Sequence, residues 1–165
     1  MPCALRQVVT YVFSDRHIKR NSLPMLYLAS DHRGVVLKRK LATFCAREGI
    51  VFEDLGTHTP KPVDYPDYVK KVVARMRKHP RAQGVLICGS GIGMVIAANR
   101  YPCIRASVAH TVAEAVRGKR EDNTNVLVFA GDTIHAHKAQ TILAAWRATL
   151  FESVSRRTRR THKMG

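Results

Sequence analysis

The stretch from residue 85 to residue 99, VLICGSGIGMVIAAN, leaves this chain few folds to choose from. Val85, Leu86 and Ile87 form a short apolar run suited to a strand buried on both faces, and the composition turns helical after Gly91. Between them lie Cys88, Ser90 and three glycines, Gly89, Gly91 and Gly93. A strand that turns through glycines into a helix aims several backbone N–H groups and the positive helix end at one point, and that point favours an anion. The spacing is G-x-G-x-G. A dinucleotide fingerprint needs its third glycine where Met94 stands, and no Lys follows the glycines as in a Walker phosphate loop, so no nucleotide cofactor is implied. What remains is a small anion nest with Cys88 at its entrance. A thiol beside a helix N-terminus ionises more readily than a free one, whereas a Cys that closes a buried strand can equally be plain core.

The 165 residues are one domain's worth, and no apolar run reaches the roughly 18 to 20 residues that cross a bilayer. The four cysteines, Cys3, Cys45, Cys88 and Cys103, have neither metal-ligand nor disulfide-framework spacing, which fits a reducing compartment such as the cytoplasm and no bound metal. Charge is the unusual property: 28 Lys and Arg against 12 Asp and Glu, a formal +16. Most of the excess is spread over helix faces that read as solvated, and only residues 156–163 form a basic block, within a C-terminal tail, 152–165. Residues 1–24, with several arginines and Asp15 as their only acid, read as an accessory N-terminal extension without a secretory signal's pattern. A transit peptide and an over-extended start both fit them.

From residue 25 the chain alternates strand and helix. Strands are expected at 25–29, 50–55, 85–87, 104–109 and 125–130, and helices at 35–48, 68–78, after Gly91, at 111–120 and at 136–151. Connections this long exclude hairpins, and right-handed crossovers give an α/β fold: a doubly wound, five-stranded parallel sheet with helices on both faces, Rossmann-like in build. Ligands of such sheets bind beyond the carboxyl ends of the strands. A flavodoxin-like strand order sets Asp31 and His32, which end the first strand, beside Cys88 and Ser90. Alone, Asp31 could be a helix N-cap and His32 a structural histidine; facing a glycine nest and a thiol, they outline a site.

These residues resemble the sugar-phosphate isomerase family that includes ribose-5-phosphate isomerase type B and galactose-6-phosphate isomerase. The matching segments are LASDHRG at 28–34, DLGTH at 54–58, VDYPDY at 63–68, residues 86–99, IRA at 104–106 and NVL at 125–127, in the family's order. The resemblance implies a cofactor-free aldose-ketose isomerase acting on ribose 5-phosphate and ribulose 5-phosphate through a cis-enediolate, as a homodimer or tetramer with its sites at the subunit interface. It assigns Cys88 as the base between C1 and C2, and Ser90 with the amides of Gly89, Gly91, Ile92 and Gly93 as the enediolate hole. Asp31 handles the sugar ring, His32 contacts the phosphate and Tyr65 walls the pocket. A single base with oxyanion donors is what proton transfer next to a carbonyl requires.

Three positions depart from the family's pattern. Glu121, followed by Asp122, stands where the resemblance places a ring-opening His, Asp132 where it places a phosphate-binding Arg, and Ser155 at another Arg position, while Arg159 keeps its match and Arg156 and Arg157 lie near enough to stand in for the lost Arg. Glu121 can serve as general acid or base, or be a surface partner for Arg117 or Lys119; in the latter case ring opening falls to Asp31. Two other readings stay open: isomerisation of another aldose phosphate, such as galactose or allose 6-phosphate, and a basic nucleic-acid-binding protein on an isomerase scaffold. The second lacks a stripe of stacking aromatics. On the last helix Ile142, Leu143, Trp146 and Leu150 recur at helical spacing, a face able to bury itself against the sheet or to reach a second copy.

Overall fold

The computed structural model describes residues 24–164, so residues 1–23 of the N-terminal extension lie outside it. Five strands, β1 (Leu26–Ser30), β2 (Phe52–Asp54), β3 (Gln83–Cys88), β4 (Ala106–Val108) and β5 (Val126–Ala130), form one parallel sheet. Six helices accompany them: α1 (Val35–Arg47), α2 (Tyr65–Lys78), α3 (Ile92–Ala98), α4 (Val112–Asp122), α5 (Ala136–Ala148) and α6 (Ser155–Lys163). The doubly wound α/β architecture is as expected. Alternation along β1 makes two cores: Leu26 and Leu28 join Val85, Ile87, Leu127 and Phe129 under α1 and α5, while Tyr27 and Ala29 join Leu86, Cys88 and Val128 under α2 and α3.

The strand order is β2-β1-β3-β5-β4. β1 and β3 are neighbours, with Leu28 opposite Val85 and Ser30 opposite Ile87, as a flavodoxin-like order requires. β5, however, takes the place beside β3 that the flavodoxin sequence of strands gives to β4. Strand quality explains the exchange: Val126, Leu127, Val128, Phe129 and Ala130 are all buried, whereas β4 has three residues, two of them partly exposed, and so suits an edge. The carboxyl ends of β1, β3 and β5 therefore converge.

Residues 155–163 form a helix where the sequence suggested only a basic tail. Its hydroxyl-bearing Thr161 is buried, and Arg157 lies between Glu152 and Glu121, bonding Glu121 at 3.3 Å. Glu152 N–H also donates to the Arg120 carbonyl at 3.0 Å, so acids on α4 and on the segment between α5 and α6 hold the cationic helix down. Arg157 is thus the partner of Glu121, rather than Arg117 or Lys119. Lys119 turns inward, donating to the Thr124 carbonyl at 3.0 Å with its ammonium 5.3 Å from the Trp146 ring centre. The apolar stripe on the last helix also resolves: Ile142, Leu143 and Trp146 are buried in the chain's own core, and Leu150, beyond the end of α5, is the one member left exposed.

The inward Lys119 makes stability depend on pH. Burial, with Arg105 and Arg147 nearby, brings it from its ordinary 10.5 down to about 8. Between those values the unfolded chain holds a proton that the folded chain has lost, so stability rises with pH through that window. Burial pushes the Cys45 thiol up from 9.0 to about 11, and the same reasoning makes stability fall between those values. Urea midpoints should therefore rise from pH 7.5 to 9 and flatten above it. Lys119→Met removes the rise, and Cys45→Ala extends it towards pH 10.

Candidate active site

β1 ends in Ser30 and runs through Asp31 and His32 into α1. Asp31 is buried; its backbone N–H donates to the Ile87 carbonyl at 3.0 Å, and its Oδ1 accepts from the N–H groups of Arg33 at 2.9 Å and Gly34 at 3.1 Å. It thus does the turn-closing work expected of an Asp before a helix, using one oxygen, and no hydrogen bond to Oδ2 is recorded among the described residues. His32 Nδ1 accepts from the Val63 N–H at 3.3 Å, which leaves Nε2 as the proton-bearing nitrogen. That bond ties the β1 end to the loop before α2, the helix that begins at Tyr65.

β3 delivers Cys88, 5 % exposed, at the point where the strand becomes the glycine turn. Gly91 N–H donates to Cys88 Sγ at 3.2 Å, and Ile92 N–H donates to Ser90 Oγ at 3.3 Å. Gly91 takes φ 78°, the left-handed conformation that lets the chain reverse and start α3 at once. The amides of Ser90, Gly93 and Met94 have no acceptor among the described residues, whereas those of Gly91 and Ile92 are taken up by Cys88 Sγ and Ser90 Oγ. Tyr65 closes one side. A Cβ on Gly93 would lie 2.7 Å from its ring, so the aromatic face lies directly on the first turn of α3. Asp31, His32, Tyr65, Cys88, Gly89, Ser90, Gly91, Ile92 and Gly93 therefore share one strand-end surface.

β5 adds a third wall. Gly131 N–H donates to the Cys88 carbonyl at 2.7 Å, and Asp132 N–H to the Gly89 carbonyl at 3.1 Å. Asp132 forms a forked ion pair with Arg33, Nε to Oδ1 at 3.2 Å and Nη2 to Oδ2. Both groups lie across Gly89, where an added Cβ would come within 2.6 Å of the guanidinium carbon and 2.8 Å of the carboxylate. Arg33 is not among the residues whose type and spacing mark a site. It sits inside the matching segment 28–34, but its partner is 99 residues away, and no local pattern reports such a pair.

The other candidates lie elsewhere in the chain. Glu121 and Asp122 close α4, just before β5 begins at Val126 opposite Gly84, and from Gly84 to Cys88 the strand climbs about 13 Å. Arg156 and Arg159 belong to α6, which packs on α4. Arg157, held by Glu121 and Glu152, is not a free substitute for a missing arginine. One chain thus carries two groups of site candidates at opposite ends of its sheet.

The ribose/galactose isomerase family matches residues 26–164. The chain belongs to that family. Ribose-5-phosphate isomerase B of Escherichia coli is 33% identical over 122 residues, covering 74% of this chain and 82% of that protein. The structure of the Thermotoga maritima ribose 5-phosphate isomerase superposes with a TM-score of 0.83 at 39% identity, covering 86% of this chain and 97% of that one. The Mycoplasma genitalium ribose-5-phosphate isomerase B, solved with bound ribulose-5-phosphate, gives 0.80 at 28% identity, covering 85% and 93%. The family match runs through α6, so the basic helix is part of the isomerase fold. Among the described residues no helix is long and apolar enough to cross a membrane.

Proposed function

We propose that this protein interconverts D-ribose 5-phosphate and D-ribulose 5-phosphate, a step of pentose phosphate metabolism, through a cis-enediolate. The observation that carries this reading is Cys88 Sγ at the head of the glycine turn, with the Gly91 N–H on the sulfur at 3.2 Å and the left-handed Gly91 starting α3. With the open-chain aldose bound, the Cys88 thiolate takes the proton from C2. Charge moves onto the C1 carbonyl oxygen, where amides of the turn and Ser90 Oγ stabilise it. The thiol returns the proton to C1 and the O2 proton passes to O1, giving the ketose. One base over two neighbouring carbons suffices: C2 is oxidised as C1 is reduced, so no external oxidant or reductant is needed.

His32 Nε2–H and Tyr65 bind the substrate. Ring opening and the remaining phosphate contacts come from a second copy, whose Glu121, Asp122, Arg156 and Arg159 complete the site. The supporting observation is the separation of these residues from Cys88 within one chain. An exposed apolar pair on α3, Ile92 and Ile96, adjoins the turn and supplies a docking face, so a homodimer or a larger assembly of dimers is the working form. The cysteine spacing along the chain supports a reducing setting such as the cytoplasm.

Glu121→Gln distinguishes the two candidates for ring opening. It is expected to slow conversion of cyclic ribose 5-phosphate by about 10²-fold while sparing ribulose 5-phosphate, which cannot form a furanose. Rates unchanged from the parent in both directions leave Asp31 as the better candidate for ring opening. A panel of pentose and hexose phosphates, including galactose and allose 6-phosphates, tests the substrate: ribose 5-phosphate should have the highest kcat/KM. Binding to RNA or DNA that persists at about 150 mM salt would favour the nucleic-acid reading instead.

A further inference from the structure

We propose that Arg33, set in place by Asp132, is the cation that grips the substrate's phosphate at the rim of the glycine turn. The proposal deepens the isomerase reading and rests on it for the identity of the substrate. Its basis is position. The guanidinium lies across Gly89, the residue after Cys88, on the surface shared by His32 and the turn.

The bonding pattern leaves the right groups available. Asp132 occupies Nε–H and one Nη2 proton, so three of the five guanidinium N–H donors, both of those on Nη1 among them, remain for another oxygen-bearing anion. The Arg33 side chain is 57% exposed and can be reached. A pair this open contributes little to folding, so stability does not account for it. The neighbouring cations are otherwise engaged: Lys38 is buried against Asp54, and Arg39 donates to the His58 carbonyl at 2.7 Å. The turn's amides and His32 Nε2–H supply donors; Arg33 adds the three guanidinium N–H groups that Asp132 leaves free, in the planar array that phosphate oxygens accept from. Asp132 is a positioning residue. It fixes the plane of the fork from β5, at the opposite side of β3 from Arg33.

The test is a set of variants read by KM for ribose 5-phosphate, by the inhibition constant of inorganic phosphate, and by calorimetric titration with inorganic phosphate. Arg33→Ala is expected to raise KM and weaken phosphate binding by about 10- to 100-fold, with kcat within about threefold of the parent. The double variant R33A/D132R cannot form the ion pair but returns a guanidinium to the same rim. It should recover phosphate binding to within about fivefold of the parent. A purely structural ion pair would not be rescued this way. Unchanged KM and phosphate binding in Arg33→Ala, or no recovery in the double variant, overturns the proposal. If the parent does not isomerise ribose 5-phosphate yet its phosphate binding still depends on Arg33, the isomerase reading fails and the anion site stands. If the parent isomerises and Arg33→Ala binds phosphate normally, only Arg33 is dismissed.

Discussion

Cys88→Ala is expected to lower kcat by about 10²- to 10⁴-fold and to leave KM within a few-fold, because on the proposed mechanism it removes the group that takes the proton and leaves the donors that hold the substrate. The residue is otherwise easily spared. Its sulfur accepts a single N–H, from Gly91, and Ala fills most of the same buried volume at the end of β3, so the variant should fold like the parent. Cys88→Ser separates the chemistry from the shape. A hydroxyl keeps the acceptor for Gly91 but is a far weaker base, so the rate should stay close to that of the Ala variant. The check is steady-state kinetics in both directions with unfolding midpoints alongside. A Cys88→Ala enzyme with more than half of the parent's kcat would return Cys88 to the core role that its burial equally permits.

Ile96→Asp is expected to produce a monomer with kcat/KM reduced at least about 100-fold, although Ile96 touches none of the reacting groups. Ile92 and Ile96 stand one turn apart on α3 and are 62% and 59% exposed, a paired apolar face immediately after the glycine turn. An Asp at its centre would have to be buried unpaired in any two-copy arrangement that uses this face. In the proposed dimer, dissociation would take Glu121, Asp122, Arg156 and Arg159 of the second copy away from Cys88. Sedimentation of parent and variant at micromolar concentration, with activity measured on the same samples, checks the outcome. A fully active monomer would mean that one chain builds its whole site, against the separation of its two candidate groups.

The glycine turn was legible because its chemistry is local. Val85, Leu86 and Ile87 announce a buried strand, Gly91 marks the left-handed reversal, and the helical residues after it follow within a few positions. Strand–helix alternation was legible for the same reason. The order of the last two strands was not, because it depends on how well β4 and β5 compete for the interior, and Ala106, Ser107 and Val108 lose to a longer apolar strand. Helix α6 was hidden by its charge: Arg156 to Lys163 reads as a solvated block until Glu121 and Glu152 are brought to it by the fold. The stripe of Ile142, Leu143 and Trp146 was visible as apolar, yet periodicity does not say which surface it covers. Lys119 shows the converse, a charge drawn inward by Trp146 and the Thr124 carbonyl. The Arg33–Asp132 pair crosses two strand ends, and only the sheet brings its halves together.

The most direct test of the account is to incubate the protein with ribose 5-phosphate in D₂O and follow the sugar by NMR. Proton transfer through an enediolate by one exchangeable thiol predicts ribulose 5-phosphate carrying solvent deuterium at C1 in at least part of the product, with both conversion and exchange suppressed in Cys88→Ala. Absence of conversion, or conversion in which no deuterium enters the carbon-bound positions at any time, would contradict it.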